Sequence, residues 1–177
     1  MASLKRISEM PSDLHEVYFT FGVIAEKAQV METEAGNVAL AYITAFVDTN
    51  NVTPEMTEWY KQLLDDINSK TFGTLFRAIK RSIQINDSIL AIVAEALDKR
   101  NYVTHRFFRH HNFAIHSEEG RREMIDDLIE AGKKFDLAHA VLEGMSSGLL
   151  QIAGRSAADF GMEEAKKLVA RGKCVKI

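Results

Sequence analysis

The stretch from Leu14 to Ala45, LHEVYFTFGVIAEKAQVMETEAGNVALAYITA, carries apolar side chains at steps of three and four residues without interruption. The positions are Leu14, Val17, Phe21, Ile24, Ala28, Met31, Ala35, Val38, Tyr42 and Ala45. Such steps place all of these side chains on one face of an α-helix. A second series of the same kind runs from Met124 to Ile152. The sequence therefore predicts two helices of about thirty residues, each about 45 Å long.

Capping residues and one of the two prolines mark where the predicted helices begin, including the two long ones. We expect helices to begin near Ser12, Pro54, Asn86 and Ser117, and a short last helix to span residues 157–170. The helix that begins near Asn86 is expected to continue to about His110. No segment alternates with the period of two that indicates a strand. We therefore predict an all-α bundle of about five helices, with long antiparallel helices, in one domain over residues 1–177 and a core over about 12–153.

Composition limits the classes of function. The formal net charge of −3 gives no overall positive field that would attract nucleic acid or anionic lipid, so any such binding needs a local patch. The single cysteine, Cys174, fits a reducing compartment. The apolar run Val38–Val47 is too short to span a bilayer, and no glycine-rich nucleotide motif is present. We expect a cytoplasmic protein without a membrane segment and without a cofactor.

The segment Asp98–Phe113, DKRNYVTHRFFRHHNF, combines basic side chains with aromatic ones. On the predicted third helix, Arg100 interrupts an otherwise apolar stripe that consists of Ile89, Val93, Ala96, Val103 and Phe107. A guanidinium on a buried face needs a carboxylate, an anion or access to solvent. Asn101 and His105 lie one helical turn apart on a neighbouring stripe, so the amide can hydrogen-bond the imidazole.

The residues RNYVTHRF, from Arg100 to Phe107, resemble the Arg-Asn-x-x-x-His-x-Tyr signature of HEPN-domain ribonucleases. The resemblance is closest to the toxins that pair with minimal nucleotidyltransferase antitoxins. It implies a helical homodimer that cleaves RNA without a metal, with Arg100, Asn101 and His105 in the shared cleft, and it leaves room for an antitoxin or regulatory partner. Phe107 replaces the tyrosine that those antitoxins modify, so the same modification is not expected here. The resemblance covers eight residues.

The residue types fit this chemistry. His105 can act as a general acid or base near neutral pH, and Arg100 can stabilise the phosphate. Asn101 is expected to orient the imidazole. Five residues advance about 500° around a helix, so Arg100 and His105 of one copy point about 140° apart, which favours a homodimer. The side chains expected to bind RNA are Lys99, Tyr102, Arg106, Arg109, His110 and His111.

Two other interpretations remain open. The first is a metal site that uses His110, His111 and His116 with Glu118 or Glu119, although the sequence has no His-Glu-x-x-His pattern. The second is a non-enzymatic helical protein for dimerisation, interaction or regulation. In that protein Arg100 pairs with a buried carboxylate such as Asp65, Asp66 or Asp136, and His105 has a structural role.

Overall fold

The computed structural model describes residues 10–46, 53–55, 58, 72–82 and 84–154. Four helices of at least eleven residues lie within these ranges: α1 (Ser12–Phe46), α2 (Phe72–Ser82), α3 (Asp87–His105) and α4 (Glu118–Ile152). A helical turn (Phe107–His110) and a 3₁₀ helix (Ala114–His116) connect α3 to α4. The described residues contain no strand, and the predicted all-α class is confirmed with about four helices rather than five.

The two longest helices, α1 and α4, run parallel to each other. Asp13 bonds Arg121, Lys27 bonds Asp136, and Glu34 bonds Ser146, so residue numbers rise together along both helices. The shorter α3 is antiparallel to both of them. The expected antiparallel packing therefore holds for α3 but not between α1 and α4. The physical reason is that α3 carries the chain back along the bundle, so α4 resumes the direction of α1.

The apolar series identified in the sequence form the core. Their buried members are Val17, Ile24, Ala28, Met31, Ala35 and Val38 on α1, and Met124, Leu128, Ala131, Phe135, Ala138, Leu142 and Leu149 on α4. The series loses contact with the core at its end, because Ile152 is exposed. The helices approach closely at Gly132, where a Cβ atom would lie 2.5 Å from Ile24 Cδ1. Burial of these two faces against each other supplies the main apolar contact of the bundle.

Capping residues set the ends of α3 and α4 as expected. Asn86 Oδ1 accepts a hydrogen bond from Ser88 N, and Ser117 Oγ accepts one from Gly120 N. The helix that was predicted to continue to His110 instead ends at His105, because Arg106 has φ −126° and ψ −19°. This bend allows Phe107 to point into the core, where it is 1% exposed.

Two predicted helices cannot be compared with the structure. The helix that begins near Pro54 and the C-terminal helix over residues 157–170 lie largely or wholly outside the described residues. Within the described ranges, no helix has the combination of length and apolar composition that crossing a bilayer requires.

The core assignment predicts different costs for the same substitution at two leucines of α4. Leu128 is fully buried, whereas Leu137 is 49% exposed. We expect Leu128→Ala to lower the free energy of unfolding by about 2–5 kcal/mol, through lost burial and a residual cavity. Leu137→Ala should change it by about 0.5 kcal/mol or less. Urea unfolding followed by circular dichroism measures both, and equal losses would contradict the assignment.

Candidate functional site

Arg100 lies on the inner face of α3, as the sequence predicted. Its stripe neighbours Val93, Ala96 and Val103 are buried, whereas the Arg100 side chain is 23% exposed. The guanidinium Nη2 lies 2.8 Å from Glu32 Oε1 on α1. That oxygen is buried and makes no well-aligned hydrogen bond, so the contact is an ion pair without bidentate geometry. The charge of Arg100 is therefore compensated within its own chain.

The compensating carboxylate is not one of those expected from the sequence. Asp136 bonds Lys27 instead, and Asp65 and Asp66 lie outside the described residues. Glu32 follows Met31, a core position of α1, which places it at the edge of the buried face toward α3. The sequence feature that could have identified Glu32 is its position directly after a residue of the apolar stripe of α1.

Asn101 interacts with Arg100 rather than with His105. Its Oδ1 atom accepts a hydrogen bond from Arg100 Nη1 at 3.2 Å. No hydrogen bond joins Asn101 to His105, although both residues are among those described. The expectation that Asn101 orients His105 therefore does not hold within one chain. The physical reason is competition, because the charged guanidinium is the stronger donor to the amide oxygen.

His105 is exposed at the end of α3. Its side chain makes no hydrogen bond or ion pair with any residue that the structure describes. The following residues Arg106, Arg109 and His110 are also exposed, and neither arginine forms an ion pair with a described residue. We call these four residues the exposed basic surface.

Three other predicted RNA-binding residues converge on Asp127 of α4. Tyr102 Oη donates a hydrogen bond to Asp127 Oδ2 at 2.6 Å, and His111 Nε2 lies 3.0 Å from the same oxygen. Lys99 Nζ lies 3.6 Å from Asp127 Oδ1. We call these four residues the Asp127 network. Asp127 was not identified from the sequence, although it directly precedes the core residue Leu128.

The network shifts the protonation equilibria of two members. Burial raises the pKa of the Tyr102 hydroxyl, and the Asp127 carboxylate raises it further, so Tyr102 stays protonated and acts as a donor. Burial also acts to raise the pKa of Asp127. Hydrogen bonds from His111 and Tyr102 and the charge of Lys99 outweigh that effect and hold this pKa below its usual range.

A cavity of about 520 Å³ opens beside the network. It is lined by Glu95, Asp98, Lys99, Tyr102, His110, His111 and Asp127. Three carboxylates and one ammonium group line it, and Lys134 Nζ lies 2.9 Å from Glu95, so acidic groups still outnumber basic ones there with histidines counted as neutral. An excess of carboxylates disfavours phosphate. The residues predicted to bind RNA therefore divide: Arg106 and Arg109 belong only to the exposed basic surface, whereas Lys99, Tyr102 and His111 join an acidic centre. His110 lies at the boundary, because it is exposed and also lines the cavity.

Two further positions bear on the alternatives. Phe107, which stands where the toxins have a modified tyrosine, is packed inside the bundle. Among the described residues, no group of three or more His, Cys, Asp and Glu side chains is placed to hold a metal ion. The candidate set of His110, His111, His116 and Glu118 or Glu119 thus does not assemble a metal site. Comparison of the chain with family models, with curated proteins and with solved structures finds no match.

The Asp127 network predicts how stability depends on pH. The pKa of Asp127 is lower in the folded chain than in the unfolded one, so its stabilisation is present above an unfolded pKa of about 4. It is lost as the pH falls through the folded pKa. We expect Asp127→Asn to lower the free energy of unfolding by about 1–3 kcal/mol at pH 7, because Tyr102 and His111 lose a charged acceptor. The difference from wild type should shrink toward pH 3.

Urea unfolding at pH 7, 5, 4 and 3 tests this expectation. Asp126→Asn is the matched control, because Asp126 is exposed and makes no ion pair or side-chain hydrogen bond with a described residue. The control should unfold like wild type at every pH. A loss that is the same at pH 7 and pH 3 would contradict the role assigned to the Asp127 carboxylate.

Proposed function

We propose that this chain is a HEPN-like, metal-independent endoribonuclease that acts as a homodimer in the cytoplasm. The observation that supports this function best is the exposed imidazole of His105, which makes no hydrogen bond or ion pair with a described residue. Arg106 and Arg109 follow it closely in the chain, and neither forms an ion pair with a described residue. An exposed imidazole next to uncompensated positive charge is the combination that phosphodiester cleavage needs. The resemblance of residues 100–107 to the ribonuclease signature supplies the reaction class.

Two copies are needed because one chain does not aim its motif at a single phosphate. Arg100 is turned inward to Glu32, whereas His105 is exposed. A two-fold axis that passes near the end of α3 would bring together two copies each of His105, Arg106 and Arg109. The shared cleft then contains both an acid and a base.

The proposed reaction uses the two imidazoles in sequence. One His105 removes the proton from the 2′-hydroxyl, and the 2′-oxygen attacks the adjacent phosphorus. The bond from phosphorus to the 5′-oxygen breaks while the second His105 donates a proton to that oxygen. The products are a 2′,3′-cyclic phosphate and a 5′-hydroxyl, and no metal takes part.

Arg100, which was expected to stabilise the phosphate, is given a positioning role instead. Glu32 cancels most of the charge that Arg100 would offer to a phosphate. Arg106 and Arg109 therefore supply the positive charge in the cleft, and Arg100 acts as a positioning residue that fixes α3 against α1. Because Phe107 is buried, a regulatory or antitoxin partner would have to act at another position.

One observation favours a second function. The ion pair of Arg100 with Glu32 and the Asp127 network both join α3 to its neighbours. If holding the helices together is the whole purpose of these residues, the chain is a non-enzymatic helical interaction or regulatory protein. In that case His105 can be replaced without loss of function.

Cleavage of RNA in the presence of EDTA distinguishes the two functions. We expect wild-type protein to cleave mixed RNA, and His105→Ala to lower the rate about 10²–10⁴-fold, because it removes both the acid and the base. His116→Ala is the matched control, since His116 is likewise exposed but lies beyond the motif. It should cleave like wild type.

Arg100 is tested together with its partner, because Arg100→Gln alone leaves a buried carboxylate without compensation. The double variant Arg100→Gln/Glu32→Gln keeps the site neutral and should retain more than about a tenth of the activity if Arg100 only positions α3. Folded wild-type protein that leaves all RNA intact would contradict the nuclease and favour the interaction protein.

A further inference from the structure

An aromatic cluster lies between α1 and the helical turn that follows α3. The ring centroids of Phe108 and Tyr18 are 5.8 Å apart, and those of Phe108 and Phe21 are 4.8 Å apart. Phe108 also contacts the buried Phe107 ring at 5.1 Å. The two outer rings are open to solvent, since Tyr18 is 47% exposed and Phe108 is 36% exposed. The buried Phe107 ring and the partly buried Phe21 ring thus hold Phe108 in place before any ligand arrives.

The cluster is flanked in the chain by two arginines that form no ion pair with any residue that the structure describes. Phe108 lies between Arg106 and Arg109 in the chain, and no acidic residue occurs from Lys99 through Ser117. Within that segment Lys99 and Arg100 are paired with Asp127 and Glu32. The arginines of this segment that have no ion-pair partner among the described residues are therefore the two that flank Phe108, in contrast to the acidic cavity on the α4 side of α3.

We infer that Tyr18 and Phe108 form a stacking platform for the unpaired bases of single-stranded RNA. Aromatic rings contribute to such binding by stacking on bases of any sequence, while arginines bind the phosphates between them. Ordering costs are small because Phe21 and Phe107 already hold the Phe108 ring. The inference rests on the proposed nuclease function and assigns its substrate class as unpaired RNA.

The sequence did not identify this platform because its halves are distant in the chain. Tyr18 belongs to α1 and is separated by ninety residues from Phe108. Tyr102, the aromatic residue that was expected from the sequence to bind RNA, donates its hydroxyl hydrogen to Asp127 and has Lys99 Nζ 5.6 Å from its ring centroid. Its accessible surface belongs to the acidic cavity rather than to the exposed basic surface.

Binding of a labelled 2′-O-methyl oligoadenylate of twelve nucleotides tests the platform, because this RNA cannot be cleaved by its own 2′-oxygen. Fluorescence anisotropy in EDTA gives the dissociation constant. We expect Phe108→Leu and Tyr18→Leu each to raise it about 5- to 100-fold, since leucine keeps the apolar contact but lacks a ring face. Phe108→Tyr should restore binding to within about threefold of wild type.

Phe113→Leu is the matched control. Phe113 is 83% exposed, yet it makes no ring contact with a described residue. This variant should bind like wild type, and a duplex of the same length should be insensitive to Phe108→Leu. Arg106→Ala and Arg109→Ala should each reduce the dependence of binding on salt by about one phosphate contact.

Several results would overturn the platform. They are an unchanged dissociation constant for Phe108→Leu and Tyr18→Leu, an equal loss in Phe113→Leu, and the absence of RNA binding by wild type. A change in self-association without a change in RNA affinity would identify the cluster as a protein contact instead. The nuclease proposal fails separately: ring-dependent binding without cleavage of unmodified RNA supports the platform and contradicts the nuclease.

Discussion

The ion pair between Glu32 and Arg100 joins α3 to α1 and commits the Arg100 guanidinium to a carboxylate of its own chain. A guanidinium on a buried helix face requires compensation, and Glu32 supplies it from α1 across the interface. Asn101 bonds Arg100, and the imidazole of His105 makes no hydrogen bond or ion pair with a residue that the structure describes. The Arg100 half of the motif is thus bound within the bundle, whereas the His105 half faces solvent.

Ion pairs within the chain neutralise some of the basic residues between Lys99 and Ser117 and not others. Lys99 is held by Asp127 and Arg100 by Glu32, so these two cations add no net charge to the surface. Arg106 and Arg109 follow the end of α3 at His105 and form no ion pair with a described residue. The basic segment is therefore divided between an acidic cavity beside α3 and a basic surface on the residues that follow it.

Most of the helices and their buried faces could be predicted from periodicity. Apolar residues at steps of three and four indicate a buried helix face regardless of which other helices pack against it. Met124, Leu128 and Phe135 are buried as the pattern requires. The direction of α4 relative to α1 was not readable, because periodicity carries no information about which helices are adjacent. The partners of the site residues were missed for the same reason: Glu32 and Asp127 are far from residues 98–113 in sequence and meet them only after packing.

If each chain carries half of a ribonuclease site, as we propose, subunit mixing tests this most directly. Wild-type and His105→Ala chains are combined in equal amounts, and their exchange into mixed dimers is verified by native mass spectrometry. If cleavage needs both imidazoles, the mixture should show about one quarter of the activity of wild type at the same total concentration. About one half would mean that each chain cleaves RNA alone, which would contradict the shared site.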